Sequence, residues 1–210
     1  MIVEAAVDTF EDALAADAEG VDRIELCGPL HNGGTTPDPA LVARVLDRVR
    51  VPVHVLIRSR AGNFVFGAAE VAEMTRSIGA VKALGAAGVV IGGLTQHGAI
   101  DAAAMDEWLS AAHTLRVVMH RAFDELRDQF GALDWLAARG VTAVLTTGAA
   151  PTALEGAARL RTLVEYAGDR IGILAAGSIT AANVRDLIKR TGVTQVHGRA
   201  FRGLPGALRR

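Results

Sequence analysis

The strongest constraint on this chain is a rhythm repeated along its whole length. Short runs rich in valine, isoleucine and leucine recur at 2–7, 22–27, 53–57, 89–91, 115–120, 143–146, 171–175 and 195–197. Between them, residues 9–18, 39–49, 68–84, 102–112, 130–138, 152–166 and 181–190 carry apolar positions at helical spacing. A strand buried on both faces reads as a continuous β-branched run, whereas an amphipathic helix spaces its apolar residues three or four apart. Turn chemistry agrees with these boundaries. Gly20, Gly85, Gly140, Gly168 and Gly192 follow the helical segments, where a left-handed residue ends a helix. Asp8, Asp38, Asp101 and Thr180 precede helical segments as candidate N-caps. Eight strands joined by seven helical crossovers, with no break in the rhythm, predict an α/β chain forming a single (β/α)8 barrel domain over residues 1–210. A doubly wound open sheet is the alternative, but no strand runs into a GxGxxG turn.

After the eighth predicted strand only residues 198–210 remain, interrupted by Gly203, Pro205 and Gly206. The outer helix ring is therefore expected to lack a full eighth helix. A gap between the first and last helices would expose apolar surface, and a two-fold homodimer is the simplest way to cover it.

Composition removes several function classes. The net charge is −1 and no basic run is present, so nucleic acid is not an expected partner. Apolar stretches are broken well short of the ~18 residues a membrane span requires, so no membrane partner is expected, and no leader pattern precedes the first strand. Cys27 is the single cysteine, which rules out an internal disulfide and a CxxC zinc site. A cytoplasmic location is expected.

The run Val117-Val118-Met119 leads directly into His120, Arg121 and Asp124. Charge at the end of a buried strand belongs where the strand opens to solvent, and in a barrel the C-terminal strand ends converge on one mouth. At the expected strand ends stand Glu4, Glu25 with Cys27, His54 with Arg58, His120 with Arg121 and Asp124, and His197. Glu25 and Cys27 are two residues apart and face the same way. Gly177-Ser178 follows the seventh strand and Gly198-Arg199 the eighth, the loops that often bind phosphate in barrels, and together they form the expected anion site.

Such a set suits acid–base chemistry on a small anionic or phosphorylated metabolite by a lyase, isomerase or hydrolase. Glu4 or Glu25 would act as base, His120 as acid, and Arg58 or Arg121 as anion clamp. The only lysines, Lys82 and Lys189, fall in helical segments, which argues against a Schiff-base mechanism. No organic cofactor is expected. Glu4, Glu25, His54 and His120 have ligand chemistry for a divalent metal, but no HxH or HExxH spacing supports one.

The segments Val21–Cys27, Gly33–Pro37, Val51–Arg58 and His120–Asp124, followed by Leu145-Thr146-Thr147-Gly148 and Gln195-Val196-His197, resemble the CutC family of copper homeostasis proteins. The resemblance runs from Glu4 to about His197. It implies a cytoplasmic, often dimeric barrel with a role in copper tolerance. Cys27, within Glu-Leu-Cys, stands at the position of the implied Cu(I) ligand. One departure is that Arg60-Ala61-Gly62-Asn63-Phe64 places Asn63 where the family usually has an aspartate.

Overall fold

The computed structural model describes residues 1–209. Strands β1 (Ile2–Val7), β2 (Arg23–Leu26), β3 (Val53–Leu56), β4 (Gly88–Ile91), β5 (Arg116–Met119), β6 (Ala143–Thr146), β7 (Gly172–Ala175) and β8 (Gln195–Gly198) alternate with helices α1 (Phe10–Glu19), α2 (Pro39–Arg48), α3 (Ala68–Ala83), α4 (Ala102–Ala111), α5 (Gln129–Ala137), α6 (Ala157–Ala167), α7 (Val184–Thr191) and α8 (Leu204–Arg209). All neighbouring strands are parallel, and β8 pairs with β1 to close the barrel. The predicted α/β barrel is therefore observed.

Side-chain alternation divides the strands into two surfaces. Val3, Val7, Ile24, Leu26, Val55, Ile57, Val89, Ile91, Met119, Val144 and Val196 point outward into the layer shared with the helices. Cys27, Leu56, Val90, Val118, Leu145, Leu174 and Ala176 form a separate cluster inside the barrel.

Pairing register then sets heights within the barrel, where inward residues stack in layers taken from alternate strands. The lowest holds Arg23, Gly88, Ala143 and Gln195, and above it lie Glu4, His54, Val118 and Leu174. Glu25, Val90, Leu145 and His197 come next, then Ala6, Leu56, His120 and Ala176. Two glycines make room for imidazoles: a Cβ on Gly88 would lie 2.6 Å from His54 Cδ2 and 2.7 Å from the Arg116 carbonyl oxygen, and one on Gly92 would lie 2.7 Å from His120 Cε1.

Local boundaries differ from expectation where side chains build turns instead of helix. Asp38 and Asp101 cap α2 and α4 as expected. Thr9, not Asp8, caps α1, because Asp8 accepts the Leu30 N–H across the barrel rim. Asn183 Oδ1 accepts the Thr180 N–H, and that turn delays α7 to Val184.

The eighth helix is short, six residues in all, yet it leaves no gap. Phe201, Leu204 and Ala207 are buried. Arg185 Nε donates to the Ala207 carbonyl, Arg209 Nη2 to the Gly20 carbonyl, and Glu19 accepts the Gly203 N–H. One turn and a half of helix thus joins α7 to α1. Among the described residues the exposed large hydrophobics are Met1, Leu84 and Tyr166, so the open apolar surface expected of a truncated ring is absent.

Candidate active site at the barrel mouth

A cavity of about 130 Å3 opens at the C-terminal end of the barrel, lined by Glu25, Cys27, Leu30, Gly33, Leu56, Arg58, Phe64, His120, Arg121, Leu145 and His197. Six residues expected at the mouth are therefore brought together: Glu25, Cys27, Arg58, His120, Arg121 and His197. Glu4 and His54 are not among them. Both lie deeper, in the layer beneath Glu25 and His197, because Glu4 is only the third residue of β1 and His54 the second of β3.

Arg58 follows β3 and is buried at its base. Its Nη1 donates to the Gly33 and Gly34 carbonyls at 3.0 and 3.1 Å, and its Nη2 to the Gly62 carbonyl at 2.6 Å. It thereby ties the loops after β2 and β3 together, leaving Nε buried without a partner. The guanidinium lies 4.7 Å from the Phe64 ring, whose other neighbour is the His120 ring at 4.8 Å. Phe64 was not anticipated. The loop that carries it reads as polar and glycine-bearing, and nothing in its spacing shows that the ring folds back between a guanidinium and an imidazole.

His120 ends β5 and begins a short 3-10 turn, Arg121–Glu125. Its Nδ1 accepts the Ala122 N–H at 3.2 Å, so the neutral ring carries its hydrogen on Nε2, an atom that is buried and has no partner. Burial first, and then the Arg58 charge, hold its pKa down at about 3. At neutral pH it is an uncharged donor.

Below the cavity, Arg23 and His197 converge on Glu4: Arg23 Nε pairs with Oε2 and His197 Nδ1 lies 2.7 Å from Oε1. Burial by itself would raise the Glu4 pKa, but the His197 hydrogen bond and the Arg23 charge outweigh it and bring it to about 2. His197 Nε2 sits 3.6 Å from Glu25 Oε2. Burial pushes Glu25 up to about 7, with the Glu4 charge adding to it and His197 opposing. His197 is pulled up by both carboxylates against the effect of burial. Both groups are thus pushed upward while facing each other at 3.6 Å.

Glu4, Glu25 and His197 offer donor atoms within 4.8 Å of one another. Arg23 and His197 already engage the two oxygens of Glu4, so a cation there would compete with both, and the trio fits a hydrogen-bonded group better than a metal centre. His54 is fully buried with neither ring nitrogen paired, and burial lowers its pKa to about 4.

Asp124 turns its carboxylate to the loop after β6. It accepts from the Thr146 and Thr147 hydroxyls and from the Thr147 and Ala149 N–H groups, and pairs with half-exposed Arg121 at 3.1 Å. The expected anion site does not assemble. Gly177 and Ser178 line a cavity with Thr152 and Asn183, whereas Arg199 lines another with Asp8, Asp12 and Arg202. Gly198 ends β8 between them. Lys82 donates to the His113 carbonyl on the helical exterior and Lys189 lies in the last turn of α7, so among the described residues neither lysine lines the mouth.

The CutC family model matches residues 1–202. The chain belongs to the CutC family. A relative from Mesorhizobium japonicum, named family protein CutC, is 40% identical over 208 residues, covering 99% of this chain and 81% of its own. The crystal structure of CutC from Streptococcus agalactiae superposes with a TM-score of 0.90 at 34% identity, covering 95% of this chain and 98% of that one. An aldolase, QR15, shares the fold at a TM-score of 0.72 and 15% identity, covering 100% of this chain and 95% of its own. Among the described residues of this CutC-family chain, no helix is long and apolar enough to cross a membrane.

Proposed function

We propose that the barrel mouth is a binding and acid–base site for a small polar or anionic metabolite. The observation that carries this reading is a single cavity whose lining includes two side chains with buried, unpartnered donors, Arg58 Nε and His120 Nε2, beside Glu25. Buried polar atoms normally find partners, and leaving one unpaired costs about 1–3 kcal/mol. A ligand oxygen would satisfy both. Glu25, ionising near neutral pH, is placed to give or take a proton, and the free Nη groups of Arg121 at the rim suit a negative charge.

The test is a thermal-shift and calorimetric screen with phosphate, pyruvate, glycolate and malonate as probes. At least one is expected to bind, and Arg121→Ala to weaken it about tenfold, the equivalent of ~1.4 kcal/mol. Absence of binding by all four, or binding unchanged in the variant, refutes the reading.

A second reading comes from the streptococcal relative, provisionally described as a copper homeostasis protein. Cu(I) favours two or more soft sulfur donors, and the residues present do not supply them. Burial, with Glu25 and Glu4 nearby, pushes the Cys27 thiol far up, and Sγ donates to the Glu25 carbonyl at 4.0 Å. Met74, Met105 and Met119 lie in the outer layer, while Met1 is exposed. Anaerobic Cu(I) titration against a competing chelator is expected to give the same weak binding for wild type and Cys27→Ser. Tight binding lost in that variant would restore the copper site.

A further inference from the structure

The two unpartnered donors at the mouth differ in kind, and the difference bears on what the cavity holds. Arg58 has committed both Nη1 hydrogens and one Nη2 hydrogen to three backbone carbonyls, which leaves Nε as its one nitrogen without a partner. His120 offers a single N–H, on Nε2, because its Nδ1 is occupied by the Ala122 amide. One N–H from each side chain matches a single oxygen with two lone pairs, such as a carbonyl. The Phe64 ring, 4.7 Å from the guanidinium and 4.8 Å from the imidazole, bridges the two donors.

We propose that this mouth catalyses proton abstraction next to the carbonyl of a small hydroxy-carbonyl or 2-oxo compound, with Glu25 as base and the N–H groups of His120 and Arg58 on the carbonyl oxygen. The proposal deepens the acid–base reading above and rests on it. The Glu25 carboxylate takes the proton from the carbon beside the carbonyl. The C–H electron pair becomes the new C=C bond, and the carbonyl π pair moves onto oxygen, giving an enolate held by the two N–H groups. Return of the proton to the same carbon gives exchange or inversion; in a hydroxy-carbonyl the hydroxyl proton passes to the enolate oxygen, the other oxygen becomes the new carbonyl, and delivery of the Glu25 proton to the former carbonyl carbon gives the isomer. Nothing is oxidised or reduced overall, and no further reactant is needed.

The surroundings fit that step. An uncharged imidazole donates weakly to a ground-state carbonyl and more strongly as negative charge develops on the oxygen, which favours the transition state over the bound substrate. Glu25 stands one layer below His120, and its ionisation near pH 7 makes it strong enough to accept a proton yet largely available as the base. His197, 3.6 Å from Glu25 and held by Glu4, is a positioning residue that receives or returns that proton. Leu30, Leu56 and Leu145 complete the wall and exclude water from the enolate.

Deuterium wash-in tests this without knowledge of the natural substrate. The protein is incubated in D2O with dihydroxyacetone, glyceraldehyde, erythrulose, pyruvate, 2-oxobutanoate and 2-oxoglutarate in turn, and loss of the proton signal beside the carbonyl is followed by NMR. At least one compound is expected to exchange about 100-fold faster than without protein. Glu25→Gln is expected to abolish that gain while retaining the wild-type circular-dichroism melt, and His120→Ala to reduce it severely. Failure of all six to exchange, or exchange undiminished in Glu25→Gln, overturns the proposal. Anion binding sensitive to Arg121→Ala but without exchange would leave the ligand site standing and refute only this reaction class. Loss of both would remove both readings.

Discussion

The free energy of unfolding is expected to peak near pH 6.5, fall gently to pH 4.5 and drop steeply below it. Four buried groups set the sign. His54 and His120 are held neutral down to about 4 and about 3, whereas in the unfolded chain they charge below about 6.5. Each therefore binds a proton on unfolding as the pH falls below 6.5, and each contribution is lost on acidification. Glu25 acts in the opposite direction: its folded pKa of about 7 means that the folded state holds the extra proton between about pH 4.3 and 7. Between 6.5 and 4.5 the net uptake on unfolding is about one proton, or ~1.4 kcal/mol per pH unit. Below 4.5 Glu25 is protonated in both states, while Glu4, held at about 2, joins the two histidines. The uptake then rises to nearly two protons around pH 4, and the slope to about 2.4 kcal/mol per pH unit, before His54 and His120 charge in the folded state as well. Above 6.5 the raised His197 gives its stabilisation back as pH climbs through its folded pKa. Urea unfolding at half-unit intervals from pH 3.5 to 8 measures the curve. His54→Leu removes two unpartnered nitrogens and one proton of the acid limb, so it should flatten that limb without loss of stability at pH 7. A profile flat from pH 6.5 to 3.5 would show that the histidines are not held neutral.

Asp124→Ala is expected to cost about 3–4 kcal/mol and to lower Tm by about 10 °C. One largely buried carboxylate receives two hydroxyls and two backbone amides from the loop after β6, and carries Arg121 on its outer edge. Removing it strands the Thr147 and Ala149 amides and lets the loop between β6 and α6 move. That loop has little slack, because Gly148 and Gly156 pack backbone to backbone, leaving no room for a Cβ on either. Asp124→Asn keeps an acceptor oxygen and should recover part of the loss. Because Arg121 loses its anchor, anion binding at the mouth should weaken in both variants. Equilibrium unfolding decides: a change below about 1 kcal/mol would mean that the loop holds its shape without the carboxylate.

The barrel was legible because its strands and helices differ in the period of their apolar residues, and that period survives along the whole chain. That Glu25 and Cys27 share one face was legible from the two-residue alternation of a strand. Height inside the barrel was not. It comes from the register shift that accumulates from strand to strand, which no single segment encodes. Glu4 and His54 accordingly looked like rim residues and are instead interior ones. Asp124 shared its run with His120 and Arg121, but apart from Arg121 its partners are loop atoms more than twenty residues away. Phe64 and the α8 seal depend on chain reversals that leave no periodic trace.

Glu4 and His197 are 193 positions apart, and with Arg23 and Glu25 they straddle the seam where the last strand meets the first. A chain emerging from synthesis can complete its first seven strands and still hold two carboxylates side by side without the imidazole that separates them. Until residue 197 arrives they stay hydrated or protonated, and the pairing of β8 with β1 is what turns them into a hydrogen-bonded group. Chemistry at the mouth is consequently bound to the final topological step of folding: a barrel with its seam open has the walls of a site but not its proton.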